Sequence, residues 1–526
     1  MRNSTRWTIH LWAYLAVGVA AAVLIASHTP VGAALSMDSL FYLSTASNIL
    51  DGNGISHDTY ALNGPAVQPT TIWPPLYSVS LAGLNWLAGQ AGISEVVAIA
   101  VFNFFALVVS LFLILRIASL TASIRAGVVV AIALAISPSL QIVFTYTWSE
   151  VLFIPLCLAA YLSLQYHLME NGDRQQLGLY SLVLLLGLAT YTRYVGLAFF
   201  SAAALTLFLY GRGAPIERLR TLAVASLAYL LILAPMLIRN YALSGSLSGG
   251  DRGAPGTSLL PDVKTLGWYL YLEFLNLPIL AAVAVVSVIA ASATWLVLRA
   301  SDANPRTKLS FKSSNIVVPF LFAACYLAFL LISRGRQRID LDSRMLSVVV
   351  PFILIGLLGV YQQLSMRTSG GLAALPFLLP LCAFAFNGIH THTSILNGWR
   401  DYGEPGPVLG LTYRSITGRQ MDSLRGINEY FSPAAGELVL TDIARPIIIG
   451  HMFSKSDVRK MPDSTSEESF ALLDVPLGRR GIAIISSELW SKALSKSLEG
   501  HAGFYRIESH TGGPEFLVIK LPIEAP

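Results

Sequence analysis

Two carboxylates stand where an acid or base could act on a bound molecule. Asp38 lies in Met37-Asp38-Ser39, beyond the first apolar run, and Glu150 closes Thr147-Trp148-Ser149-Glu150 just before another. A carboxylate so placed can take a proton from an acceptor hydroxyl or amine as the acceptor attacks an electrophilic carbon. Glu150 could also orient the acceptor or help hold a cation. Plainer roles compete: Asp38 as a helix N-cap, Glu150 as an acid favoured by a helix N-terminus. Arginines supply the complementary charge. Arg334, Arg336, Arg338 and Arg344 fall within eleven residues that also hold Asp340 and Asp342, and the planar guanidinium fork suits phosphate. Lipid-headgroup contact, or pairing with those two acids, is the competing use. Asp340-Leu341-Asp342 has the spacing by which two carboxylates share a divalent cation. Trp73 and Tyr77, flanking Pro74-Pro75-Leu76, offer a platform for a sugar face or anchors at a bilayer surface.

These residues need a frame, and composition says which. Of 526 residues, 54% are hydrophobic and 12% charged, where soluble proteins have about a quarter charged. Apolar runs long enough to cross a hydrocarbon core of about 30 Å recur up to about residue 390. The expected spans are about 10–27, 95–115, 126–144, 150–168, 177–192, 194–210, 219–238, 269–298, 316–332, 345–364 and 371–388, about eleven helices in all. The first follows Arg2 and Arg6 and reads as a retained helix, because no small-residue cleavage site follows it. With the N-terminus inside, Arg116, Arg125, Arg174, Arg212, Arg218, Arg220, Arg299, Arg306, Lys308, Lys312 and Arg367 all fall in cytoplasmic connections, as the positive-inside rule requires. The arginine strip at 334–344 then lies outside, as do Arg193, Arg239 and Arg252.

Residues 28–94 form an outer loop far longer than an ordinary connection, and such loops usually carry function. Asp38 to Leu50 reads as a short helix with Ser36 or Asp38 available as N-cap and Gly52 as its stop. A second short helix opens at Pro74-Pro75, with Tyr77, Leu81, Leu84 and Ala88 on one face and Ser78, Ala82, Asn85 and Gly89 on another, as suits a helix in the interface plane. The tail, residues 390–526, has soluble composition. Its runs at 437–440, 446–449, 482–485 and 516–519 read as buried strands and 423–431 and 487–498 as helical, a small extracytoplasmic α/β domain after a membrane domain of residues 1–389.

The modest net charge of +5, with cations between apolar runs, gives no sign of nucleic-acid binding. Cys157, Cys325 and Cys382 sit inside apolar runs and match no zinc or redox spacing. Only His390 and His392, among nine histidines, are close enough to suggest ligation, and juxtamembrane placement explains them. No phosphate-binding glycine loop, nucleophile elbow or metalloprotease helix occurs, and no internal repeat is visible.

The stretch from Met37-Asp38 to Gly52, then Trp73-Pro74-Pro75-Leu76-Tyr77, Trp148-Ser149-Glu150, Thr190 to Arg193, Ile238-Arg239-Asn240 and Asp342-Ser343-Arg344 before Pro351 together resemble the membrane glycosyltransferases of the C-type fold. That group includes lipid A aminoarabinose transferases, protein O-mannosyltransferases and bacterial polyprenyl-phosphate-sugar transferases. The resemblance implies that Asp38 matches the first-loop acid that serves as base, that Glu150 matches the second-loop acid, and that arginines near Arg344, with Arg193, contact the donor phosphate. Arg239 and Asn240, with Trp73 and Tyr77, become substrate-contact candidates. Many relatives carry two adjacent first-loop acids, whereas Asp38 is followed by Ser39, which leaves any bound divalent cation open; none is required by the sequence. The expected function is transfer of a sugar from a polyprenyl phosphate to a protein, lipid or glycan acceptor at the outer face of a bacterial inner membrane, with membrane lipids as neighbours. A transporter or lipid-linked sugar flippase is the alternative, although charges gather at helix ends rather than at mid-membrane; a non-catalytic assembly protein would leave the long first loop unexplained.

Overall fold

In hydrocarbon a backbone N–H or C=O has no water to bond, so apolar runs must satisfy their own polar groups by coiling. The computed structural model describes residues 34–61, 64–135, 137–250, 259–274, 311–336, 341, 343–365, 412–413, 438–441, 457–460, 481–486, 504–508 and 514–521. The expected spans at 10–27 and 371–388, most of the span at 269–298, the strand at 446–449 and both tail helices lie outside the described residues, as do Arg252, Arg338, Asp340 and Asp342.

The described helices are α1 (Met37–Leu50), α2 (Leu76–Gln90), α3 (Glu95–Thr121), α4 (Ile124–Ala135), α5 (Pro138–Thr145), α6 (Glu150–Met169), α7 (Asp173–Thr192), α8 (Gly196–Tyr210), α9 (Pro215–Ser244), α10 (Leu259–Phe274), α11 (Phe311–Arg334), α12 (Ser343–Leu346) and α13 (Val350–Ser365). Among the described residues four helices are long and apolar enough to cross a membrane: α3, α6, α9 and Asn315–Arg334 of α11; α4 with α5 makes a fifth if that pair, bent by 63°, is one span. The chain is therefore an integral membrane protein with a helical membrane part. Contacts divide the described residues into two compact units, with the division falling after Thr70, after Tyr77 and after Ile93.

One unit holds Thr71–Tyr77 and helices α3 to α13. Its core is tied by aromatic rings from four helices: Phe199 of α8 meets Phe322 of α11 at 5.5 Å and Phe352 of α13 at 5.2 Å, and Tyr161 of α6 meets Phe322 edge-on at 5.3 Å. Tilted and edge-to-face rings give directional attraction beyond their burial. Helix ends are closed by arginines. Arg212 donates to the carbonyls of Leu168, Met169 and Glu170 at the end of α6, and Arg218 donates to those of Phe208 and Leu209 near the end of α8. Cations there satisfy orphan carbonyls and meet the negative end of the helix dipole. Between α4 and α5 the turn is held by Glu273 of α10, whose carboxylate accepts from the hydroxyls of Ser137 and Ser139 at 2.6 and 2.9 Å and from the Ser139 N–H at 3.3 Å.

The other unit combines the first loop with the tail strands. The strands are β1 (Ala34–Leu35), β2 (Ser56–Ala61), β3 (Gly64–Pro69), β4 (Thr412–Tyr413), β5 (Leu438–Thr441), β6 (Asp457–Lys460), β7 (Gly481–Ser486), β8 (Phe504–Glu508) and β9 (Pro514–Leu521). Strands β5, β7 and β9 fall on three of the expected runs; β6 and β8 were not foreseen. They form one mixed sheet in the order β6-β5-β7-β9-β8, with β5 parallel to β6 and β7 and β9 antiparallel to β7 and β8. The loop contributes β1, paired in parallel with β4, and an unforeseen hairpin β2–β3 with Ser56 opposite Pro69. Alternation is weak in Ser56–Ala61 and β3 itself contains Pro65 and Pro69, so the sequence carries little strand signal there.

Helix α1 is fastened to that hairpin by side chains. Asp58 accepts from the Ser44 hydroxyl at 2.9 Å and the Asn48 amide at 3.0 Å, while the Asn48 oxygen accepts from Asn53 at 2.9 Å. The Thr70 hydroxyl meets Thr45 and His57 Nδ1, each at 3.0 Å. In α2, Tyr77, Ser78, Leu81, Ala82 and Ala88 are buried while Val79, Trp86 and Leu87 are exposed. Residues of both faces expected from the sequence are thus buried, and Val79, Trp86 and Leu87 leave apolar surface exposed.

Asn48 is buried and bonded on both ends of its amide, so Asn48→Ala should destabilise this unit by about 2–3 kcal/mol, the cost of stranding its partners; an unfolding midpoint unchanged in detergent would contradict the arrangement. Burial depresses the His57 imidazolium below its ordinary range against an opposing pull from Asp58. The folded state therefore favours neutral His57, and its contribution is present above the unfolded value of about 6.5 and lost as pH falls below it. Protease cleavage of residues 53–70 should quicken from pH 7.5 to pH 5 in the parent and lose that added dependence in His57→Gln.

Candidate functional site

Glu150 is the first residue of α6, and its side chain is 1% exposed. Such a carboxylate needs cationic partners, because its hydration has been stripped. Arg193 supplies the nearer one, with Nη1 at 2.6 Å from Oε1. Arg344 supplies the second, with Nε at 3.8 Å from the same oxygen. Ser149 completes the group: its hydroxyl accepts from Arg193 Nη1 at 3.0 Å and lies 3.4 Å from Glu150 Oε2. Arg193 Nη2 points to the sulfur of Met345 at 3.6 Å.

Three chain ends deliver these residues. Ser149 occupies the N-cap position of α6 yet makes no side-chain cap bond; its hydroxyl is spent on the ions. Arg193 is the C-cap of α7, where the backbone turns extended (φ −151°, ψ 132°) after its N–H bonds to the Ala189 carbonyl. Arg344 lies on the single turn α12 before α13. Since α6 and α7 are antiparallel neighbours joined by a short turn, the start of one and the end of the other share a side of the helical unit. The guanidinium of Arg344 also lies 4.9 Å over the buried ring of Trp148, which stacks on Tyr146 at 4.3 Å and 11°. Among the described residues two guanidiniums gather on this one carboxylate, and a guanidinium fork is a donor set that suits an anion.

A second network sits beside Arg193 in sequence. The Tyr194 hydroxyl donates to the Thr71 carbonyl at 2.9 Å and accepts from the buried Asn240 amide at 2.7 Å. Asn240 also donates to the Leu247 carbonyl, and the Gly250 N–H donates to the Thr71 hydroxyl. Gly249 has φ +84°, and a Cβ there would lie 1.9 Å from the Thr71 carbonyl oxygen, so only glycine permits this approach. Asn240 thus positions the segment that leads to Trp73. Tyr194 and Thr71 escaped the sequence reading; the available signal was Asn240 beside Arg239 in the last turns of α9.

The other anticipated residues are placed as follows. Arg334 pairs with Asp262 of α10 at 2.6 Å, an ion pair of its own; Arg336 is exposed just beyond α11. Arg239 precedes Asn240 on α9, Trp73 is half-buried, and Tyr77 is fully enclosed. Asp38 is the second residue of α1 and half-buried. The N-cap duty falls to Ser36, which exchanges bonds with Ser39 in a capping box, so the helix does not need Asp38 for that purpose. Among the described residues no group of three or more His, Cys, Asp or Glu side chains could hold a metal ion.

No protein-family profile matches this sequence, and no curated protein does. Solved structures do resemble it. ArnT from Cupriavidus metallidurans in the apo state superposes with a TM-score of 0.60 at 12% identity, covering 98% of each chain. The same protein bound to undecaprenyl phosphate gives 0.56 at 12% identity over 99% of each chain. The shared fold is that of the C-type membrane glycosyltransferases, which the sequence motifs had suggested.

The ion cluster has a stability signature. Arg193→Ala strips the nearest partner from a buried carboxylate and should cost about 3–5 kcal/mol, whereas adding Glu150→Gln to that variant should recover a large part. Equal and additive losses in thermal unfolding would show that the two side chains are not coupled.

Proposed function

We propose that this chain is a glycosyltransferase that moves a hexosyl or pentosyl group from a polyprenyl phosphate to a protein, lipid or glycan acceptor at the outer face of the membrane. The observation that carries the reading is the buried cluster of Arg193 and Arg344 on Glu150. The fold is one in which a relative, ArnT from Cupriavidus metallidurans, was solved with undecaprenyl phosphate bound, and the arginines give this chain a match for such an anion. In this reading Glu150 is the internal counter-ion that orients the guanidiniums rather than the base.

The reaction then divides between two kinds of side chain. Asp38, matched by resemblance to the first-loop acid, takes the proton of the acceptor O–H or N–H. The acceptor atom bonds to the anomeric carbon as the bond from that carbon to the phosphate oxygen breaks. The electron pair leaves with the polyprenyl phosphate, whose added negative charge Arg193 and Arg344 stabilise. The guanidiniums meet that charge with side chains of the protein itself. We place the N-terminus in the cytoplasm, about eleven spans in a bacterial inner membrane, and the loop and tail domain outside, following the distribution of Lys and Arg.

Membranes supplied with radiolabelled polyprenyl-phosphate sugars test this. The parent should transfer label, Asp38→Asn should lose about 100-fold or more in rate, and Arg344→Ala should lose about 10- to 1,000-fold. A chelator should leave the parent rate within about twofold. Absence of transfer from every carrier sugar would overturn the reading, and full activity in Asp38→Asn would remove the base assignment.

A further inference from the structure

Arg344 stands farther from Glu150 than Arg193 does, at 3.8 Å against 2.6 Å. It is carried on a single helical turn, too short to fix a long side chain by backbone stiffness alone. It lies over the ring of Trp148, with the guanidinium carbon 4.9 Å from the ring centroid. Trp148 is fully buried and stacked nearly parallel on Tyr146. The two rings are brought together because Tyr146 is in extended conformation, where residues two apart share a side. The stretch is pinned in turn by Asn103 of α3, whose buried amide donates to the carbonyls of Phe144 and Tyr146 at 3.2 and 2.9 Å.

We propose that Trp148, backed by Tyr146, is a positioning residue for anion recognition: its ring fixes the plane of the Arg344 guanidinium so that the fork meets a phosphate with its orientation already set. The proposal rests on the reading of Arg344 as a donor-phosphate contact. It adds that part of the affinity for the carrier resides in an aromatic residue that touches no substrate. A tryptophan face is the best aromatic partner for a guanidinium, and the attraction grows when both are desolvated. Pre-orientation cuts the ordering cost of binding rather than adding a contact. The effect should therefore fall on substrate affinity more than on turnover. Arginine, unlike lysine, can stack and present a fork at once, so the platform should matter only while residue 344 is arginine.

The experiment measures KM and kcat for transfer from a polyprenyl-phosphate sugar, in detergent-purified full-length protein that elutes as a single peak. Trp148→Leu should raise KM about 5- to 30-fold, the range of one desolvated cation–π contact, with kcat within about threefold, and Trp148→Phe should raise it about three- to fivefold, because a phenyl face attracts a guanidinium less than an indole does. In an Arg344→Lys background Trp148→Phe should change KM by less than about twofold. If Trp148→Leu does not fold, the Phe substitution in the two backgrounds decides alone. Equal effects of Trp148→Phe with arginine and with lysine at position 344, or a fall in kcat at unchanged KM, would overturn the positioning role. Absence of transfer by the parent overturns the transferase reading instead; a large Arg344→Ala effect beside a silent Trp148 overturns only the platform.

Discussion

A carboxylate taken out of water must be met by charge and hydrogen bonds of its own, or the site does not persist. Glu150 is such a group, and Arg193, Arg344 and Ser149 are its answer. The demand reaches across the helical unit. The end of α7 must stop at Arg193, the turn α12 must present Arg344, and the connection from α5 to α6, extended at Tyr146, must bring Trp148 to the Arg344 guanidinium. One buried acid thereby couples segments almost two hundred residues apart in sequence and gathers two guanidinium forks at one place.

The surroundings favour an anion as the group those forks meet. Charge at helix ends, enclosed by apolar helices, acts in a medium that screens it less than water does, so a guanidinium there attracts an anion strongly. The rest of the polar inventory shows how such charge is otherwise neutralised: Arg334 is paired with Asp262, and Arg212 and Arg218 are spent on helix carbonyls. Contacts of this kind separate arginines that build the fold from the two gathered on a carboxylate that no helix cap required.

Much of this was legible in the sequence and some was not, for identifiable reasons. The helices were readable because long apolar runs have few alternatives in a bilayer, and α6 begins at Glu150 as the residue pattern suggested. Glu150 and Arg193 were both singled out, yet their pairing was invisible, since nothing local relates residues 43 positions apart. The arginine strip read as one unit because its members are neighbours in sequence; in space Arg344 joins Glu150 while Arg334 joins Asp262. Ser36 and Asp38 were equal N-cap candidates until the reciprocal bonds of Ser36 and Ser39 decided between them. The hairpin β2–β3 was missed because its prolines and polar residues imitate a loop, and its place is set by Asp58 and Thr70 side chains rather than by periodicity. Tyr194, Thr71 and Asn240 form a contact of the same non-local kind.

The central claim is that the Glu150 cluster is an anion site for a lipid carrier. Native mass spectrometry of the detergent-solubilised chain, offered undecaprenyl phosphate and undecaprenol at equal concentration, tests it without assuming a sugar or an acceptor. The account predicts that the phosphate is retained and the alcohol is not, and that Arg344→Ala abolishes the difference. Equal retention of both lipids by the parent, or an undiminished preference in Arg344→Ala, would contradict it.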